Sequence, residues 1–348
     1  MRDIKLDQLR ALAAFLVFTW HFCHSSTGYP VPFGGAPRIF PFATLDEGHV
    51  GVALFMTLSG YLFASILNGK SVNYPAFLLK RGLRLFPLLM VMFALVGFEQ
   101  YWQGQDVSAY VVHIIYGFIT PDWPHGGWSI ATELQFYLLL PFLLLISRKS
   151  VAPLVLVLLL AVGIRAFIHL MTGSVQWYAY WTLIGRIDQF LLGIIAFHYS
   201  NYARARHISF SMICTAFLVY YWWFDDAGGW MTNGGQSTSR VWVIMPTIEG
   251  AFFGFLIAYY DKSFGDHRDV ASRLIAEIGK CSYSIYILQF FYVFWAADFV
   301  NRHVILITNF YLAAIWSLIA FLLFFPVAWL SFVLIERPLM SIKIRYIR

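Results

Sequence analysis

The chain has 348 residues, of which 60% are hydrophobic, 19% aromatic and only 12% charged. A soluble domain carries about 25% charged residues, so this composition excludes an ordinary soluble enzyme and points to an integral membrane protein. The net charge of +6 is what the cytoplasmic loops of such a protein need, and it is no sign of nucleic-acid binding.

Apolar runs long enough to cross a hydrocarbon core of roughly 30 Å fall near 6–24, 49–68, 84–101, 130–147, 151–171, 177–199, 208–224, 240–260, 278–300 and 304–335. They predict an all-α, polytopic protein of about ten transmembrane helices, forming a single domain over 1–348. The first run starts like a signal peptide. It lacks a small-x-small cleavage site and holds Arg10, which marks a retained span. The segment 108–119 is apolar but too short to cross, and is expected to lie at the interface or dip in. Pro326 predicts a tilt or kink in the last run. Cys23, Cys214 and Cys281 show no metal-ligand spacing and read as packed thiols.

Basic residues set the orientation. With the N-terminus inside, 18 of the 24 lysines and arginines fall in cytoplasmic segments. Only Arg38, Arg240 and Arg302 fall outside, while Arg10, Arg165 and Arg186 lie within spans. The alternation, loop by loop, predicts both termini in the cytoplasm.

A charge within a span costs at least about 2.5 kcal/mol, so each one calls for a role. Arg10 and His21 are eleven positions apart, three helical turns plus about 20°, which puts them on one face and roughly 16 Å apart along the axis. A basic group near one membrane surface and an imidazole near the other describe a path between two compartments. Arg10 could instead snorkel beside Asp7, and His21 could be an interfacial residue bonded to a carbonyl. Glu133 is expected about one turn inside the outer end of its span, at a depth like that of His21, with Ser129 as the helix cap. Arg186, with Asp188 close by, and Arg165 read as structural ion pairs. Ser59-Gly60 permits close helix packing. The outer tryptophans and tyrosines read first as an aromatic belt.

Six stretches, in order, resemble the acyltransferase-3 family of bacterial membrane enzymes that modify surface sugars. They are Arg10 with His21; Gly51-Val-Ala-Leu-Phe-Met-Thr-Leu-Ser59-Gly60; Lys80-Arg81-Gly-Leu-Arg84-Leu-Phe-Pro87; Trp128-Ser129 through Glu133 to Phe136-Tyr137; Ser282-Tyr283-Ser284-Ile-Tyr286; and Glu336-Arg337-Pro338. The chain departs from the pattern at Ala53, Met56 and Gln289. The resemblance implies an O-acyltransferase of the bacterial inner membrane. It would move an acetyl or other short acyl group from cytoplasmic acyl-coenzyme A to a hydroxyl of an outside glycan, with no permanently bound cofactor or metal. It implies His21 as general base, Glu133 as its partner or as a sugar contact, and Arg10, Arg81 and Arg84 on the donor's phosphates. Trp128, Ser129, Tyr137 and Tyr283 are then the candidate substrate contacts, and Lys80 is surface decoration. Direct transfer and a covalent acyl-enzyme both stay open. The rival from another class is a transporter using Arg10 and His21 as a proton or anion path, but no repeat symmetry supports it. A nearer rival keeps the fold and changes the acceptor to an antibiotic, a lipid or a periplasmic glucan.

Overall fold

The computed structural model describes residues 4–24, 37–67, 69–232, 235–265 and 269–347. Arg2, Arg268 and Arg348 of the inside set, and the first half of the 25–48 loop, lie outside these residues. What is described is nearly all helix, as composition predicts. Helix α1 (Ile4–Cys23) is followed by a single turn, α2 (Ala43–Asp46), and then α3 (Val50–Leu67). Helix α4 (Tyr74–Trp102) starts ten residues before the apolar run at 84. The Asn73 side chain accepts the Ala76 amide at 3.3 Å and Pro75 occupies the first turn, so local start signals outweigh the basic residues that follow. Lys80, Arg81 and Arg84 therefore sit inside a helix. The interfacial segment forms the short α5 (Val107–Tyr116), capped by Asp106.

Helix α6 (Gly127–Ile146) leads through a tight turn to α7 (Ala152–Thr172). The run at 177–199 is not one helix. It breaks into α8 (Gln176–Trp181) and α9 (Leu183–His198) at Thr182, which is extended and accepts the Gly185 amide on its hydroxyl at 3.3 Å. A turn, α10 (Ser200–Ala203), precedes α11 (His207–Asp226), α12 (Met245–Ser263) and α13 (Val270–Lys280). The run at 278–300 is also interrupted. Helix α14 (Ser282–Leu288) and α15 (Val293–Phe299) meet at a 57° bend around a 3₁₀ turn at Gln289–Phe291. Helix α16 (Phe310–Ser331) contains Pro326 and passes through a π-turn at Phe332–Glu336 into α17 (Arg337–Met340).

Among the described residues, six helices are long and apolar enough to cross a membrane, or seven with the bent pair counted as one. The remaining expected runs are α1, the broken α8–α9 and α12. These are central: α3 packs on α9 and α12, and α1 on α13, α3 and α16. Helices covered by protein need not be as apolar as lipid-facing ones, and so can hold charge. Helices α3 and α9 touch backbone to backbone. A Cβ at Gly60 would lie 2.0 Å from the Phe190 carbonyl oxygen, and one at Gly193 2.1 Å from that of Thr57. The packing role expected of Ser59-Gly60 is thus Gly60's, for only glycine allows that crossing.

Two buried ion pairs tie this centre together. Arg165 gives N–H bonds to both oxygens of Asp188 (3.1 and 2.6 Å), to Thr247, and to the carbonyls of Val243, Ile184 and Gly185. Arg186 turns away from Asp188 and pairs with Glu249 at 3.3 Å, its guanidinium 3.9 Å from the centre of the Tyr180 ring. Glu249 also accepts from Gln189 at 2.7 Å and Tyr221 at 2.6 Å. A buried carboxylate that loses a donor keeps its desolvation cost. Tyr221→Phe should therefore destabilise the protein by about 2 kcal/mol, read as a lower thermal unfolding midpoint in detergent.

Candidate active site

A cavity of about 750 Å³, counted out to its opening, lies among α1, α3, α4, α6 and α14. Arg10, Ser59, Arg81, Arg84, Ser129, Glu133, Tyr137, Ser282, Tyr283 and Tyr286 all contribute to its lining. Helical spacing explains the convergence. Ser129, Glu133 and Tyr137 are four apart on one face of α6, and Arg81 with Arg84 are three apart on α4. The Glu133 carboxylate accepts the Ser59 hydroxyl at 3.0 Å and the Tyr137 hydroxyl. Tyr283 donates to the Leu85 carbonyl at 2.7 Å, which holds α14 against α4. Glu336, aimed inward by its π-turn, accepts from Ser284 and so fixes the last helix to the same wall.

The charges in this cavity do not balance within it. Arg10 pairs with the buried Asp7 at 2.5 Å, the neighbour expected if it snorkelled, and yet lines the cavity. Arg81 is 9% exposed, lies 4.4 Å over the Phe63 ring, and has no partner for its Nε among the described residues. Arg84 is half-buried and makes no hydrogen bond or ion pair to any described side chain. Among the described residues Glu133 is the only carboxylate lining the space. Half-buried guanidinium without a matching carboxylate is a seat for an anion, and its planar fork suits phosphate oxygens.

His21 is placed elsewhere. A Cβ at Gly48 would meet the Leu16 carbonyl and one at Gly51 that of Ala13, so α1 and α3 run antiparallel. Ser59 lies eight residues down α3 from this crossing, and His21 eight residues up α1. At 1.5 Å per residue the backbone levels of Ser59 and His21 differ by roughly 20 Å. Glu133, bonded to Ser59, therefore belongs to the Arg10 end. The expected match in depth between Glu133 and His21 does not hold, because α6 starts at Gly127, further out than its apolar run suggests, and carries Glu133 two turns inward. No hydrogen bond joins the two among the described residues. The Nδ1 of His21 lies 2.8 Å from the Val17 carbonyl. A carbonyl only accepts, so Nδ1 carries a proton, and in the neutral ring Nε2 keeps the lone pair.

A roof separates the two levels. Ser129, Tyr286 and the Gly126 carbonyl form a triangle of 2.8, 3.0 and 3.1 Å at the top of the cavity. Ser129 is thus no cap; Gly126, at φ 73°, holds the cap position. Above this triangle lies Phe290, in the 3₁₀ turn at the helix bend. Its ring centre is 4.5 Å from the His21 ring on one side and 5.5 Å from His125, stacked, on the other. Burial lowers the His125 pKa from the ordinary histidine value, with Glu99 acting the other way. A Cβ at Gly126 would lie 2.9 Å from Phe290 and 3.1 Å from the Tyr286 hydroxyl, at a backbone angle that suits glycine. Gly126→Ala should lower activity several-fold and cost about 1–2 kcal/mol of stability, measured as transfer rate and unfolding midpoint.

The structure gathers Arg10, Arg81, Arg84, Glu133, Ser129, Tyr137 and Tyr283 around one space, and leaves two candidates outside its lining. His21 sits above the roof, and Trp128 turns toward α8 to meet Tyr180 at 4.9 Å. Lys80 is more than decoration, since its ammonium holds the carbonyls of Met340 and Ile342, both at 2.6 Å. Sequence reasoning missed Ser59 as a Glu133 partner, and with it Phe290 and His125. Ser59 was visible as a polar residue in an apolar run; the ring stack joins residues 165 positions apart and has no sequence signal.

The acyltransferase domain family profile matches residues 3–335. The chain is 25% identical over 292 residues to O-acetyltransferase OatA of Staphylococcus aureus, which covers 71% of this chain and 46% of that protein. It is 27% identical over 185 residues to peptidoglycan O-acetyltransferase OatA of Listeria monocytogenes, covering 46% of this chain and 27% of that protein. The chain thus spans less than half the length of these curated relatives. No solved structure matches it.

Proposed function

The chain belongs to the acyltransferase-3 domain family, and on that footing we propose that it is a bacterial inner-membrane O-acetyltransferase. Both termini lie in the cytoplasm in this reading, the donor is acyl-coenzyme A, and the acceptor is a hydroxyl of a cell-surface or periplasmic glycan. One observation carries it: a cavity with surplus guanidinium at one level leads up to a roof beneath a histidine with an available lone pair. The OatA relatives, O-acetyltransferases by name, support the acyl group and acceptor class.

The donor enters from the cytoplasmic side. Arg10, Arg81 and Arg84 hold its phosphates, and its thin thioester arm rises past Glu133 and Tyr137 toward the roof. Nε2 of His21 takes the proton of the acceptor hydroxyl as its oxygen attacks the thioester carbonyl carbon. Collapse of the tetrahedral intermediate breaks the C–S bond. The thiolate leaves with the coenzyme and takes the proton back from imidazolium, so an ester and a free thiol result and His21 is neutral again. Glu133 acts on the donor side. It balances the arginines and orients the Tyr137 hydroxyl toward the arm. Trp128 and the aromatic rings around it stand outside this path.

The test is incubation of the purified protein with acetyl-labelled acetyl-coenzyme A and cell-envelope glycan. Label on the glycan supports the reading. No transfer with any glycan fraction, or uptake of solute by proteoliposomes without acyl chemistry, contradicts it.

A further inference from the structure

A second cavity, about 1460 Å³ counted out to its mouth, lies where α3, α4, α6 and α9 end or begin. The segments that frame it carry the basic residues of the side read as cytoplasmic. Its rim holds Lys70, Arg148 and His198, and among the described residues no aspartate or glutamate lines it. Lys70 gives one N–H to the Ile66 carbonyl at 2.9 Å and has two left. The Arg148 side chain bonds to no described residue. The floor is flat and apolar. Tyr74 and Phe77 stack with ring centres 6.3 Å apart. The Tyr74 hydroxyl is held at 3.1 Å by the Tyr137 carbonyl, which Pro141, lacking an N–H four residues on, leaves free.

This cavity neighbours the first one across a shared wall of aromatic rings. Phe77 meets Phe63 at 5.5 Å and Tyr137 at 5.9 Å, and both of these line the first cavity. Along α4, Arg81 and Arg84 follow Tyr74 by seven and ten residues, about 10 and 15 Å. The order from the mouth inward is a cationic rim, a flat aromatic floor, a deeper pair of guanidiniums and a narrow cavity. The matching ligand has a terminal phosphate, a planar base, a second phosphate group and a thin arm.

We propose that the outer cavity binds the 3′-phosphoadenosine end of the donor, with Lys70 and Arg148 on the 3′-phosphate and the base against Tyr74. This rests on acyl-coenzyme A being the donor. A phosphate bound to these cations could equally come from an anionic lipid headgroup, and the test separates the two. Binding of coenzyme A and of dephospho-coenzyme A, which lacks only the 3′-phosphate, is measured on the full chain in zwitterionic nanodiscs. Wild type should prefer coenzyme A by about tenfold or more. The Lys70→Ala/Arg148→Ala variant, checked for an unchanged unfolding midpoint, should bind both ligands as wild type binds the dephospho form. A variant that keeps the tenfold preference overturns the proposal. So does a preference that stays intact while phosphatidylglycerol in the disc stabilises wild type and not the variant, since that marks a headgroup site. Wild type binding neither ligand overturns the choice of donor itself, a result distinct from losing the subsite alone.

Discussion

His21→Ala is expected to lower acyl transfer by about 10²–10⁴-fold, the usual worth of a positioned general base. The unfolding midpoint should move little, because the ring lies at the half-buried top of α1 and its one hydrogen bond is to its own helix, at Val17. Donor affinity should not change, since His21 does not line the cavity that holds the arginines. That combination, a collapse in kcat with unchanged donor binding, sets a base apart from a structural histidine. His24, one turn on, stacks on Trp20 at 5.3 Å and bonds the Trp20 carbonyl at 2.9 Å. Its replacement should leave most of the rate.

The second large effect concerns the donor. Arg81→Met with Arg84→Gln should raise KM for the acyl donor by about 10²–10⁴-fold, since each charge-assisted phosphate contact contributes about 1.5–3 kcal/mol. Methionine at 81 keeps apolar contact with Phe63 and Phe77, so lost packing does not confuse the result. Glu133→Gln separates two readings of the site. If Glu133 oriented His21 as in a hydrolase triad, its loss would shift the pH–rate profile of the base. Placed beside Ser59 and Tyr137, it should instead alter donor KM and leave that profile where it is.

Much of this was legible in the chain. Six motifs gathered nearly all of the cavity's polar residues in advance, because polar groups inside apolar runs must find partners or ligands. What failed was depth and pairing. Apolar runs mark where lipid contact ends, not where a helix begins, so Asn73 and Gly126 set the starts of α4 and α6 where hydropathy could not. Asp188 seemed the natural partner of Arg186, but residues two apart on a helix do not face each other. Glu249, 63 positions on, took that role, and Asp188 went to Arg165. The bend at Gln289–Phe291, which sets Phe290 between two histidines, comes from packing across the bundle.

The proposed mechanism requires one path from a donor held at the arginine level to an acceptor at the His21 level on the opposite face. Sealed proteoliposomes of known orientation test it, with acetyl-labelled coenzyme A confined to the face that carries Tyr74 and Lys70 and glycan acceptor only on the other. Labelled glycan is expected in this arrangement, none when donor and acceptor share either face, and none with His21→Ala. Transfer that proceeds with both substrates on one face, or that survives His21→Ala, would contradict it.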